Sequence, residues 1–318
     1  MSFAWIVDAA GVRPATLDEA CDANGSAPFL WVHLDAREDE ATAWLDGRSE
    51  IPEVARRALV AQETRPRTEP MAAGALVNLR GLGRTPEDDP DALVAVRIWA
   101  EKGRVVSVCI RTPLALDSLC EAVRAGKVRD PGDLISTLAT LITDELDPDV
   151  ADLGDTLDEC EARLDGDAVY AMRRRVAAAR SQAISYRRFV SPQRQALERL
   201  AVLEAGWLDE DDRMHLREAA DRCARMAEEL EAVRERAALM HEQLTDLRAE
   251  QQDSRALLIA VVALIFLPLT FLTGLLGMNV KGIPFADAPW AFWGVVAMCL
   301  LIAAAVSAYF AAVHWFKG

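Results

Sequence analysis

No charged residue interrupts the chain from Ala256 to Leu276, or again from Pro289 to Val313. A helix rises about 1.5 Å per residue, so even the shorter run reaches roughly 32 Å, the thickness of a bilayer's hydrocarbon core. Inside a bilayer every backbone polar group must be satisfied within the segment, which leaves the helix as the form such a run can take. Two runs side by side are expected to be transmembrane helices rather than buried core helices of a soluble protein.

Residues 1–255 are charged and read as soluble. The chain's formal net charge of −15 argues against nucleic acid and anionic lipid as partners of this part, because both would be repelled. A cation is the natural partner of such a field, and ordinary solubility accounts for it equally well. The six cysteines form no C-x-x-C pair, and no two histidines have the spacing of a helical metal site. The cysteines are expected to be reduced, mostly buried small apolar residues in a cytoplasmic compartment. Met1 to Ala10 has neither a basic region nor a cleavage site, so the two spans are expected to direct the chain to the membrane.

Short strand-like and helix-like patterns alternate over residues 1–115. Phe29–Leu34, Ala75–Leu79, Leu93–Trp99 and Val105–Ile110 read as strands, the last two joined as a hairpin through Gly103. Asp35 is expected to cap a helix through Leu45. Helical patterns around the strands predict a mixed sheet covered by helices. The Pro- and Asp-rich stretch 85–91 is expected to be a solvated loop. After Pro113 the pattern is helical: Asp117–Ala125, Leu134–Leu164, Asp167–Val190 and Pro192–Glu204, with Ser191-Pro192 as a helix start.

From Asp209 to Leu267 there is neither glycine nor proline, and Leu216, Ala219, Cys223, Met226, Leu230, Val233, Ala237, Met240, Leu244 and Leu247 recur at alternating steps of three and four. That heptad predicts a helix packed along a neighbour for many turns. It runs without a linker into the first apolar run, so one helix on the order of 100 Å is expected. The acids Asp209 to Asp212 stand at the positive end of its dipole.

Two helices cannot enclose a pore, so a conduction path would need several subunits about an axis. Arg248 and Arg255 before the first run and Lys317 after the second favour both ends on the cytoplasmic side. Thr270, Gly274 and Gly277 lie along one helical face. This stripe suits either a water-filled pore or close helix packing, and spacing alone does not separate the two.

Phe266-Leu267-Pro268-Leu269-Thr270-Phe271, then Gly274 and Gly277-Met278-Asn279, resembles the CorA superfamily of metal-ion transporters, in which a Gly-Met-Asn triplet ends the first of two C-terminal helices. Lys281-Gly282-Ile283-Pro284, Glu63-Thr64-Arg65-Pro66-Arg67, Leu93-Val94-Ala95-Val96-Arg97 and Ser191-Pro192-Gln193-Arg194 resemble its zinc-transporting ZntB branch. The resemblance implies an α+β cytoplasmic domain (1–115), a helical section and stalk (116–255), a pore-lining span (256–276), a periplasmic loop (277–288), a second span (289–313) and a cytoplasmic tail (314–318). It further implies a funnel-shaped homopentamer in the lipid of the inner membrane, with hydrated divalent cations as cargo and no cofactor. Asn279 would be the entry filter, beside Gly277 and Met278, with Thr270 and Gly274 below it.

A ring of asparagine carbonyls suits a cation that keeps its water shell. Bare zinc would prefer His and Cys ligands, and the first run has none; His314 and Cys299 fall on the second. Neither run holds a carboxylate to carry a coupled proton. Lys281 stands where the branch has glycine and is expected to point outward or to pair with Asp287. Asp253, one turn before the span, is expected on a solvated stalk face, an inner acidic ring being the alternative. A magnesium or cobalt channel of the same superfamily, and a membrane-tethered scaffold or sensor without transport, are the competing readings. No nucleophile and base, phosphate loop or paired catalytic carboxylates point to an enzyme.

Overall fold

The computed structural model describes residues 2–22, 29–48, 50–62, 65–72, 74–84, 93–163, 169–278, 283, 285 and 288–315. They fall into two compact units, Met1–His241 and Glu242–Gly318.

The first unit is built on a seven-stranded mixed sheet of order β2-β1-β3-β7-β6-β5-β4. The strands are β1 (Phe3–Asp8), β2 (Gly11–Ala15), β3 (Phe29–Asp35), β4 (Arg67–Met71), β5 (Gly74–Leu82), β6 (Leu93–Glu101) and β7 (Arg104–Cys109). Only β3 and β7 pair in parallel, with Trp31 opposite Val105 and Leu34 opposite Val108. All of β3 is buried, as its unbroken apolar run requires of a strand covered on both faces. The outer strands β2 and β4 are short and carry Pro14 and Pro70. Proline cannot donate to a ladder, so it belongs at an edge and blunts it against further pairing.

Helices α1 (Leu17–Asp22), α2 (Asp39–Asp46) and α3 (Glu53–Val60) close one face. Trp44, Leu45, Ile51, Ala55 and Leu59 pack there with Ile6, Val32, Leu34, Leu76, Trp99 and Val108. Helices α4 (Ala115–Arg124), α5 (Pro131–Ala162) and α6 (Val169–Ala201) form the helical section, with α5 and α6 in contact with β5. At Gly81 of β5 a Cβ would come within 2.9 Å of Ile142 Cγ1, so glycine is what lets α5 approach this strand.

Three sequence expectations are corrected. Helix α2 starts at Asp39 behind Glu38, and no side chain caps it. Asp35 instead accepts from Arg37 Nε at 2.9 Å and Nη2 at 2.6 Å, and this pairing holds its carboxyl well below the usual range. Ser191-Pro192 does not start a helix, because α6 runs through Pro192. Phe189, Val190, Ala196 and Leu197 are buried on both sides of the proline, and that packing outweighs one missing backbone bond. Of the six cysteines, Cys21, Cys120 and Cys299 are only partly covered; Cys109, Cys160 and Cys223 are buried, and all six are free. The stretch 85–91 lies outside the described residues.

The last two helices are α7 (Glu210–Leu276) and α8 (Ala291–Trp315). Within the first unit the heptad residues Leu216, Ala219, Cys223, Met226, Leu230, Val233, Ala237 and Met240 are all buried. Ion pairs flank this seam: Arg187 Nε to Glu231 at 3.0 Å joins α6 to α7, and Arg236 reaches Glu161 of α5 at 3.0 Å. In the second unit the apolar parts of α7 and α8 are long and hydrophobic enough to cross a membrane.

Candidate ion-pathway residues

The apolar end of α7 is uncovered by its own chain. Leu258 (67% exposed), Leu267 (76%) and Phe271 (68%) present side chains that water would not tolerate in such number, so lipid or other subunits must cover them. Pro268 stands inside the helix. Having no N–H, it cannot complete the bond to the carbonyl one turn earlier.

The threonines beyond it fold back onto the backbone. Thr270 Oγ1 donates to Phe266 O at 2.7 Å, and Thr273 Oγ1 donates to Leu269 O at 2.9 Å. With its proton so committed, each hydroxyl has only lone pairs to offer, which match the outward hydrogens of a hydrated cation. Gly274, one turn beyond Thr270, has open space where a Cβ would stand. The helix ends at Leu276, and Gly277 N donates to Thr273 O at 2.9 Å. Met278 follows and is half exposed.

Thr270, Gly274, Gly277 and Met278 thus stand in sequence at one end of α7. Asn279, Lys281 and Asp287 lie outside the described residues. Asp253 is an exposed position on α7 with no ion pair among the described residues.

An aromatic group around the start of α8 escaped the sequence reading. Phe285, at a positive φ of 60°, packs against Trp290 with ring centroids 5.4 Å apart. Phe292 and Trp293 meet edge to face at 5.5 Å. Amphipathic rings collect at the bilayer–water boundary, so aromatics flanking an apolar run were the available signal.

In the first unit, Asp130, Asp133 and Asp212 bring one carboxylate oxygen each within 4.8 Å of the others, the only such trio of metal-ligand types among the described residues. Their partners explain them as helix caps. Asp130 Oδ1 accepts from Asp133 N at 2.9 Å at the start of α5, and Asp133 Oδ2 accepts from Arg129 N at 2.9 Å. At the start of α7, Asp212 Oδ2 accepts from Asp209 N at 3.0 Å, while Asp209 Oδ1 accepts from Asp212 N at 2.9 Å, a reciprocal capping box. Burial pushes the Asp212 carboxyl up to about 6.

Comparison with known proteins agrees with this arrangement of a mixed-sheet unit followed by two apolar helices. The family model described as CorA-like Mg2+ transporter protein matches residues 26–311. The zinc transport protein ZntB of Pectobacterium atrosepticum is 31% identical over 306 residues, covering 96% of this chain and 92% of that protein. The divalent cation transporter CmaX of Pseudomonas aeruginosa is 35% identical over 276 residues, covering 86% and 82%. The structure of full-length CmaX superposes with a TM-score of 0.74 at 30% identity, over 99% of this chain and 97% of that one. The complete structure of the CorA magnesium transporter from Methanocaldococcus jannaschii has a TM-score of 0.77 at 17% identity, over 98% and 97%, a likeness of fold. The chain belongs to the CorA family of ion transporters.

Proposed function

We propose that this chain forms a homopentameric pore that carries hydrated zinc inward across the cytoplasmic membrane, with both ends of the chain in the cytoplasm. The observation that carries the reading is the order of groups at the end of α7: a backbone-bonded threonine at 270, a bare glycine at 274, and the Gly277-Met278 turn leading to Asn279. Five copies about an axis would stack an asparagine carbonyl ring above rings of threonine oxygen and glycine. Each ring accepts hydrogen bonds from the ion's water and removes none of it. In this reading residues 256–276 line the pore, 277–288 form the outer loop, 289–313 face lipid, 1–115 and 116–255 are the cytoplasmic domain and stalk, and 314–318 are a cytoplasmic tail. Lys281 points away from the axis or pairs with Asp287, and Asp253 lies on the solvated stalk.

A membrane potential of 100 mV contributes about 4.6 kcal/mol to inward movement of a divalent ion, enough to drive uptake without a second gradient. The similarity to ZntB supports zinc as the cargo. Proton coupling would run through the ion's own water or through His314, because neither apolar run contains a carboxylate. One observation favours a magnesium or cobalt channel as the second reading: the first run has no His or Cys with which to prefer zinc.

Uptake of zinc into proteoliposomes, with imposed pH gradients and magnesium as competitor, tests the proposal against Asn279→Ala. Zinc flux that survives excess magnesium and collapses in the variant is the expected result. Magnesium flux that ignores the pH gradient moves the chain to the second reading. A correctly assembled protein that passes no divalent ion is a scaffold and not a pore.

A further inference from the structure

The second face of the sheet holds a cavity. Strand alternation sends Ala4, Ile6, Val32, Leu34, Val106 and Val108 into the core beneath α2 and α3, so Phe3, Trp5, His33, Ser107 and Cys109 point the other way. There α4 packs against β2 and leaves a space of about 620 Å³ between itself and the strands. That is the size of a small-ligand pocket, and it lies wholly within the first unit.

Its inner wall carries aromatic rings and one buried imidazole. His33 is 3% exposed, and its ring stacks on Phe3 with centroids 4.9 Å apart. Ser107 Oγ accepts from Trp31 Nε1 at 2.9 Å and lies 2.9 Å from His33 Nδ1, so the hydroxyl donates its own proton to Nδ1. This network assigns the imidazole proton to Nε2, the nitrogen left to serve the cavity that His33 lines. Burial lowers the His33 pKa to about 4, so the ring is neutral near pH 7. It offers one N–H to an acceptor and brings no charge.

The charges on the lining include Arg84, Arg111 and Arg124 with Asp35, Asp117 and Glu121. Arg84 is paired with Asp117, and Asp35 is held by Arg37 from outside the cavity. The Arg124 guanidinium stands 5.4 Å from the Trp5 ring, where it can also meet an anion that lies on that ring. With Arg37 included, guanidiniums outnumber carboxylates here, in a chain whose net charge is −15. The thiols, imidazole and carboxylates of the lining do not converge as metal ligands, since the one such trio among the described residues is Asp130, Asp133 and Asp212. We propose that this cavity binds a small organic anion, with a flat ring against Trp5 and Phe3, an acidic group at Arg111 and Arg124, and a ring acceptor facing His33 Nε2. A heteroaromatic carboxylate and a nucleoside monophosphate share that chemistry. The site does not depend on which cation the pore carries.

Thermal melting and calorimetric titration of the purified full chain in detergent test it, with nicotinate, AMP, nicotinamide, adenosine and acetate at matched ionic strength. Nicotinate or AMP should raise the melting temperature by several degrees and bind once per chain, and which of the two acts names the source. Their uncharged counterparts, and acetate without a ring, should bind at least tenfold more weakly. Arg124 is exposed, so Arg124→Gln should melt like the native chain without ligand and weaken binding at least tenfold, and Arg124→Lys should recover part of it. Cys120 lines the cavity and Cys21 packs on the opposite face of the sheet, so a bound probe should slow alkylation of Cys120 and leave that of Cys21 unchanged. Equal melting in all five compounds overturns the proposal, as does nicotinamide or adenosine binding as tightly as its acid. Binding that Arg124→Gln does not weaken, or that leaves Cys120 unshielded, places the ligand elsewhere and overturns it too.

Discussion

Asp212, in the first turn of α7, lies directly over Gly132, in the first turn of α5, leaving no room for a side chain at residue 132. A Cβ there would overlap the Asp212 carboxylate and stand 2.8 Å from the backbone oxygen of Trp207. Ser136 Oγ donates to Asp212 Oδ1 at 3.3 Å across the same junction. Two helix starts are joined here through one carboxylate, at the point where the helical section hands over to the long helix.

Gly132→Ala should therefore separate the two helix starts. Overpacking of this kind costs about 1–3 kcal/mol. Thermal melting of the variant should show a fall of several degrees, and an unchanged melt would mean that the junction yields freely.

The same carboxylate should make stability depend on pH. Its pKa is raised by burial, with Asp130, Asp133 and Asp209 facing it as further negative charges. A carboxyl with a raised folded-state pKa favours folding while it is protonated. That contribution is complete below the unfolded value near 3.8 and is lost as pH rises through about 6. Asp212→Asn keeps an oxygen for Asp209 N and carries no charge. It should match the native melt near pH 4 and exceed it at pH 7.5, by roughly 3 kcal/mol at most. Parallel melting curves across that window would show that Asp212 is not the titrating group.

Gly274→Val tests the ion path without disturbing the chain's own packing. A Cβ at residue 274 meets nothing within 4 Å inside one chain, so the fold should tolerate the change. If five copies face an axis at this position, the added methyls close it, and flux should fall at least tenfold with assembly and melting retained. Thr270→Val, which removes the lone pairs and keeps the shape, should lower flux less. Native flux in both would place this helical face against lipid.

Gly81→Ala should destabilise through Ile142, whose Cγ1 lies 2.9 Å from the added Cβ. The cost should be about 1–2 kcal/mol, and it should shrink in an Ile142→Ala background, where the clashing Cγ1 is gone. A double-mutant cycle by thermal melting reads the coupling, and strict additivity would show that α5 shifts as a body.

What was legible in the sequence was what depends on neighbours along the chain. Charge exclusion from Ala256 to Leu276 and from Pro289 to Val313 marks the apolar helices, because a bilayer imposes one length on every span. The heptad from Leu216 to Met240 marks the buried seam of α7, because helical periodicity is local. Strands β3, β5, β6 and β7 announce themselves through apolar runs. The edge strands β2 and β4 do not, since Pro14, Pro70 and their charged neighbours suit an edge and obscure a strand. Pro192 misled for the opposite reason: burial of α6 on both sides of it overrode a local helix-start signal. Tertiary structure alone decided which distant residues meet. Asp212 and Gly132, Ile142 and Gly81, and His33 and Ser107 are contacts made by helix packing and strand register, and these are settled by the burial of whole faces and not by any one stretch of sequence.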